Sequence, residues 1–543
     1  MLHLKKNVAV EQTTPTAFSI FISKVAKTNT TPKFQLSEAT IVDLNCAFEQ
    51  GILTAEQLVE QYMNRIKTYD KSGLLPLNSI IQLNPNALEI AQNLDRERQI
   101  SGARSALHGI PIIVKDNYNT FDLPTTAGSR ALARSIPPED SFIVKKLRSA
   151  GAIILAKANM AEFAWTPNQT VSSILGTTRN PYDLSRVPAG SSGGTAAAIA
   201  ANFGTVGLGT DTGNSIRGPA AHTALVGLRP TMGLTSRNGI VPLFLNRDVG
   251  GPMTRTVEDA AIVLNAIAGY DPKDPQTAVI QGVTLPDYTR FLDREGLRGA
   301  RIGVVENFVN PTGDSVSIDS PDPEVLALMD RAIGTLMCQG ATVKSVRLPE
   351  FSLSLLKVWT GSNTFAHDMN QYLQALGADA PMKSVEDIIA FGQCDPSVRD
   401  LLDSSVEIGD IPPESRGDFL TGEAAREIIR QAIVSVMDAG EYDALIYPTW
   451  NRPPRRIGDL SSPTGNNNFQ LSPRTGFPEI TVPMGFVANG TLPSGLQFFG
   501  RPFDEPMLFK LAYAYEKATQ HRRPPQGFSA LAGEGVESDT EMW

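Results

Sequence analysis

The stretch VGLGTDTGNSIRGPAAHTALVGLRP, residues 206–230, sets two short apolar runs, VGLGTD and LVGLRP, on either side of a glycine-rich turn with one serine, Ser215, near its centre. Apolar runs of this length, bounded by turn formers, read as strands buried on both faces. The pattern recurs in GIPIIVKD (109–116), GAIILAKA (151–158), ARIGVV (300–305), ATVKSVRL (341–348), YDALIYPT (442–449), PEITVPMGF (478–486) and SGLQFFGRP (494–502). Helical stretches come between and after them, among them TAAAIAANF (195–203), TVEDAAIVLNAIAG (256–269) and DEPMLFKLAYAYEKATQHRR (504–523). Upstream, TAEQLVEQYMNRIKTYD (54–70) opens with a Thr-x-x-Gln capping box and puts Leu58, Tyr62 and Ile66 on one helical face. Buried runs alternating with helices predict an α/β protein with a largely covered sheet.

No stretch in the middle reads as a linker and no repeat is present. The helical segment 351–440 looks inserted within one large domain of about residues 34–530, between a flexible N-terminal tail (1–33) and an acidic C-terminal tail (531–543). The N-terminal tail carries five lysines against Glu11 alone, and its apolar patch from Ala17 to Ile22 is too short for a signal h-region or a membrane span. A transit peptide is the rival reading of that tail.

Composition narrows the function. Apolar residues are 41% and charged residues 19%, an ordinary globular balance, and the net charge of −9 argues against a nucleic-acid partner. Three cysteines, Cys46, Cys338 and Cys394, are too few and too scattered for a disulfide framework, which fits a reducing, cytoplasmic setting. Five histidines show no HExxH or other ligand spacing, so neither a metal nor a cofactor is expected.

Glycine is concentrated: 14 of 45 fall within residues 176–251, more than twice an even share. Such clustering implies tight turns and backbone brought close to another group, a ligand being one candidate. Three readings compete. GSSGGT (190–195) before a helix resembles a phosphate cradle but lacks the P-loop lysine. Gly190, Ser192 and Gly194 satisfy G-x-S-x-G, but the preceding residues NPYDLSRVPA are polar and twice broken by proline, where a hydrolase elbow needs a buried strand. A distant histidine, His222 or His367, would then have to complete a triad. In the third reading Ser191 and Ser215 sit in separate glycine-bracketed turns, and Lys115 closes an apolar strand. If burial makes that lysine neutral it is a base, and a Ser-Ser-Lys relay becomes possible. A solvated Lys115 is the plain alternative.

These residues resemble the amidase signature family. The similarity runs through GIPIIVKDN, GTTRNPYDLSRVPAGSSGGTAAAIAA, GLGTDTGNSIRGPAA, VGLRPTMGLTSRNGIVP and GPMTRTVEDAA, and continues into YDALIYPT, TVPMGF and LPSGLQFFGRPFDE, from about Phe34 to Pro525. The resemblance implies a single large mixed β-sheet covered by helices on both faces, and hydrolysis of a small-molecule or peptide amide through an acyl-enzyme. It assigns Lys115 as base, Ser191 as bridging serine, and Ser215 as nucleophile. The backbone N–H groups of Thr212, Gly213, Asn214 and Ser215 become an oxyanion hole, and the peptide Gly190-Ser191 takes the cis form. Asp211 and Arg217 match the family's GTD and SIR, and are expected to brace the loop as a buried pair. Trp165 stands where the family lines its acyl channel, with a plain core position as its alternative. One departure lies inside the nucleophile motif, where Asn214 replaces the usual second glycine. If that position needed positive φ, asparagine would be the best substitute; its side chain would narrow the pocket or add a donor. The branch that serves as amide-hydrolysing subunit of a tRNA-dependent amidotransferase carries a tyrosine-rich helix, SGYYDAYY. Here the corresponding residues read ESRGDFLTGEAAREIIRQAIV (414–434), which favours a stand-alone amidase over that role and over a non-catalytic binding protein of the same fold. A homodimer is left open.

Overall fold

The computed structural model describes residues 34–73, 75–309, 321–349, 355, 363–459, 461–465, 469 and 471–535. The proposed N-terminal tail lies outside the described residues. Of the acidic C-terminal segment, residues 531–535 are described, and Glu534 pairs with buried Arg65 at 2.8 Å.

One mixed sheet of eleven strands organises the chain. Its strands are β1 (Ile80–Leu83), β2 (Pro111–Lys115), β3 (Ile153–Ala158), β6 (Val206–Asp211), β7 (Val226–Arg229), β8 (Val249–Thr254), β9 (Arg301–Val305), β10 (Thr342–Val346), β11 (Ala444–Pro448), β12 (Glu479–Val487) and β13 (Leu492–Phe499). A small hairpin, β4 (Val171–Ser172) with β5 (Gly176–Thr177), stands apart. The order across the sheet is β1-β3-β2-β6-β8-β7-β12-β13-β11-β9-β10. Strands β3, β2 and β6 run parallel, as do β11, β9 and β10, while the pairings between β6 and β11 are antiparallel. Helices cover both faces of the sheet, as the α/β pattern of buried runs requires.

Two features position the site. β2 and β6 are adjacent and parallel, so their carboxyl ends, Lys115 and Asp211, open on the same edge, where α/β enzymes gather their chemistry. The helix Gly193–Ala200 packs on both strands, and glycine in β6 allows the close approach: a Cβ at Gly207 would stand 2.4 Å from the Thr195 methyl. That packing brings Ser191 and Ser192, just before the helix, down onto the strand ends.

The segment expected as an insertion supplies the helices Phe365–Ala375, Val385–Phe391, Arg399–Ile408 and Gly417–Ala439. The first three build a second hydrophobic cluster with Ala127, Met160, Phe163, Leu243 and Phe244, separate from the core on the sheet. The helix at 54–70 forms as predicted, over Ala55–Tyr69, with both halves of its capping box made between Thr54 and Gln57.

Candidate active site

Lys115 is fully buried at the end of β2. Its Nζ lies 2.7 Å from Ser191 Oγ and 2.7 Å from Thr210 Oγ1, with the Thr210 carbonyl at 3.5 Å. No carboxylate of the described residues comes within ion-pair distance. Burial therefore governs its titration and pushes the ammonium down to about 7, against the opposing pull of Asp248 and Asp211. The amine donates to the Ser191 and Thr210 hydroxyls. Asn117 Nδ2 also donates to Thr210 Oγ1 at 3.0 Å, fixing that hydroxyl.

The peptide Gly190-Ser191 is cis. Ser191 is fully buried, whereas Ser215 keeps 4% of its surface and lines a cavity of about 470 Å³. Lys115 and Ser191 are thus in hydrogen-bond contact, while Ser215 Oγ makes no hydrogen bond among the described residues. Catalytic contacts are often slack in a ligand-free enzyme and tighten when substrate binds. The Gly213, Asn214 and Ser215 backbone N–H groups likewise have no acceptor among the described residues, and all three residues line the cavity. Glycine is required at 213, where a Cβ would sit 2.1 Å from the Phe469 ring. Thr212 donates its hydroxyl to Asp248 Oδ1 at 2.5 Å, and Asp248 Oδ2 accepts the Leu243 and Phe244 amides.

Asn214 does not have positive φ, so the conformational reason considered for it does not apply. Its side chain acts as a tie. Nδ2 donates to Gly190 O at 3.0 Å and to Pro167 O at 3.2 Å, joining the loop of Ser215 to the loop of Ser191.

Asp211 and Arg217 are both completely buried and make two contacts, Nε to Oδ2 at 3.0 Å and Nη2 to Oδ1 at 3.1 Å. Burial pushes Asp211 upward, but Arg217 and Arg229 outweigh it and hold the carboxyl at about 2. Arg217 also reaches Gly213 O at 2.8 Å and pairs with Glu479, while Arg229 pairs with Asp211 at 3.0 Å. The loop carrying Ser215 is therefore stapled to β7 and β12. Trp165 is half-buried, meets Phe244 edge-on at 6.2 Å, and lines the cavity.

The histidine readings find no geometry. His222 is buried beside Trp450, and burial pushes its imidazole down to about 3; His367 contacts Asp410 and Gln371. Neither lines the cavity. Ser192, the serine of the G-x-S-x-G match, is fully buried with its hydroxyl at 3.2 Å from Thr210 O, and no strand runs directly into it. Thr210, Asp248, Arg247 and Glu479 were not singled out in the sequence. The available signal was a charged residue beside an apolar run, as in PEITV and LFLNRDVGG.

A buried lysine thus touches Ser191, and Ser215 lines a largely apolar cavity. The amidase family model matches residues 57–509, and the chain belongs to the amidase family, a membership that supports amidase (hydrolase) activity. It is 35% identical over 524 residues to a probable amidase of Arabidopsis thaliana, covering 91% of this chain and 92% of the other. It is 34% identical over 504 residues to a glutamyl-tRNA(Gln) amidotransferase subunit from Microcystis aeruginosa, covering 87% and 96%. Among solved structures, the peptide amidase of Stenotrophomonas maltophilia superposes with a TM-score of 0.78 at 36% identity, over 90% of this chain and 99% of that one. No described helix is long and apolar enough to cross a membrane.

Proposed function

We propose that the protein is a stand-alone amidase that hydrolyses a carboxylic amide to acid and ammonia or amine through a Ser-Ser-Lys relay. The observation carrying this reading is the 2.7 Å contact of buried Lys115, which has no ion pair among the described residues, with Ser191. Neutral Lys115 takes the Ser191 proton as Ser191 takes that of Ser215, and Ser215 Oγ attacks the amide carbonyl. The developing oxyanion is received by the backbone N–H groups of Thr212, Gly213, Asn214 and Ser215, a kind of contact worth about 3–4 kcal/mol per donor. The proton returns along the relay to the departing nitrogen, and water then releases the acid from Ser215.

The stand-alone branch is supported by the sequence of the helix Gly417–Ala439, which lacks the tyrosine-rich motif of the amidotransferase subunits. Similar identity to both groups makes the amidotransferase role the second reading. A fluorophosphonate adduct on Ser215, together with amide hydrolysis by the purified single chain that Ser215→Ala abolishes, is the expected result. Glutaminase activity appearing only with a stable partner protein would move the chain to the other branch, and absence of any adduct would count against an enzyme of this mechanism.

A further inference from the structure

The cavity in front of Ser215 has one ionisable side chain among its described lining residues, Arg247, set among Ala164, Trp165, Leu243, Phe244 and Phe469. Arg247 is 4% exposed, and its guanidinium lies over the Phe244 ring, 4.7 Å from the centroid. Its backbone is fixed: the carbonyl accepts from Arg229 Nη2 at 2.9 Å, and the N–H donates to Phe244 O at 2.9 Å. Charges of both signs surround it: Arg426, itself paired with Glu423 at 3.1 Å, and Arg229 on one side of the balance, Asp248 and Glu423 on the other. Burial, followed by the repulsion of Arg426, pushes Arg247 down to about 9, with Asp248 and Glu423 opposing. Arg474 is pushed down to about 8 by burial and by Arg247 and Arg426. A buried guanidinium in the wall of a largely apolar chamber favours an anion there, and its planar fork matches the two oxygens of a carboxylate. A chamber of about 470 Å³ also has room for more than a bare amide group.

We propose that the substrate is an amide whose acyl part carries a carboxylate beyond an apolar spacer, and that Arg247 receives that carboxylate while the scissile carbonyl lies at Ser215. The assignment rests on the reading of Ser215 as the nucleophile of an amidase. It divides the cavity into two functions: the Thr212–Ser215 turn handles the reacting carbonyl, and the wall of Trp165 and Phe244 measures the distance to the anion.

The test compares kcat/KM for three amides of similar length, adipic acid monoamide, hexanamide and 6-aminohexanamide, and repeats the anionic and neutral arms with terephthalic acid monoamide and 4-methylbenzamide. The anionic amide of at least one series is expected to exceed its neutral partner by about tenfold or more, the size of one charge-assisted contact, with the cationic amide lowest. In Arg247→Gln the anion-to-neutral ratio should fall toward one, and in Arg247→Lys part of the preference should survive. A second readout needs no turnover: adipate should slow fluorophosphonate labelling of Ser215 in the wild type more than hexanol does, and should lose that advantage in Arg247→Gln. A wild-type ratio near one in both series, or a ratio that Arg247→Gln leaves intact, overturns the carboxylate assignment alone. Failure of Ser215 to label, with no amide turned over, overturns the reading beneath it instead. If Arg247→Gln does not fold, Arg247→Lys carries both readouts: a full wild-type ratio and full adipate protection in it overturn the assignment, and a partial loss of each supports it.

Discussion

Lys115 ends β2 and Lys157 is the penultimate residue of the neighbouring parallel strand β3, and neither side chain reaches solvent. In register, Lys115 lies beside Ala158 and Val114 beside Lys157, so strand alternation sends the two amines to opposite faces of the sheet. Asp116, one residue past Lys115, falls on the side of Lys157 and pairs with it at 3.3 Å. Lys157 also donates to Tyr118 O at 2.9 Å, Pro124 O at 3.1 Å and Thr125 Oγ1 at 2.8 Å. Lys115 meets hydroxyls and one distant carbonyl. Burial lowers the pKa of both amines, but only for Lys157 is that opposed by a carboxylate in contact. A buried lysine is thus a structural cation or a candidate base according to whether the next strand end provides a carboxylate or a serine.

Substitutions can break the comparison. The largest effect is expected from Lys115→Ala: amide turnover falls by about 10²–10⁴, the range for a positioned acid–base group, while the melting temperature holds. The wild-type kcat/KM carries the same signature. Because the base must be neutral, activity is low where Lys115 is protonated, rises as pH climbs through about 7, and levels off above. A profile that instead rises near the ordinary lysine value would remove Lys115 from the role of a burial-tuned base.

Lys157→Met has the opposite expectation. Asp116 is left buried without its cation, a loss of about 3–5 kcal/mol of stability, read as a lowered melting temperature, while turnover per folded molecule is retained. Asp116→Asn in the same chain should recover part of that stability.

Thr210→Val sharpens the comparison with a smaller effect. The hydroxyl supports the charged ammonium more strongly than the neutral amine. Its loss should move the midpoint of the pH profile below that of the wild type and cost about 1 kcal/mol in kcat, roughly fivefold. Asn214→Gly should be smaller still. It removes the tie between the two serine loops without disturbing the Asp211–Arg217 brace, so Ser215 labelling slows by no more than a few-fold, and the pH midpoint stays in place.

Much of the sheet was legible because its strands are buried on both faces and therefore show as apolar runs. β8 was not, since VGGPMT holds two glycines and a proline, and it persists as a strand because β6 and β7 pair with it on either side. Lys115 stood out as a residue that closes an apolar run, but GAIILAKA closes in the same way with Lys157. The sequence cannot separate them, because their partners, Ser191 and Thr210 for one and Asp116 for the other, depend on which face each amine takes. Asp211 and Arg217 were readable as a pair from the resemblance to the family's GTD and SIR, whereas Arg229 and Glu479 join them through the pairing of β7 with β12. The part played by Asn214 was out of reach for a similar reason: its acceptor, Gly190 O, lies 24 positions away, on a loop whose place is set by helix packing.

Arg65, in the helix Ala55–Tyr69, is enclosed by Asn202 O at 2.9 Å, Phe528 O at 2.8 Å and the carboxylate of Glu534. During synthesis the helix emerges from the ribosome long before its last partners do, and an arginine cannot be shut away from water until its counter-charge arrives. Enclosure of this arginine therefore waits until residue 534 has been translated and released, which makes the last stretch of chain the closing clasp of one of the first helices.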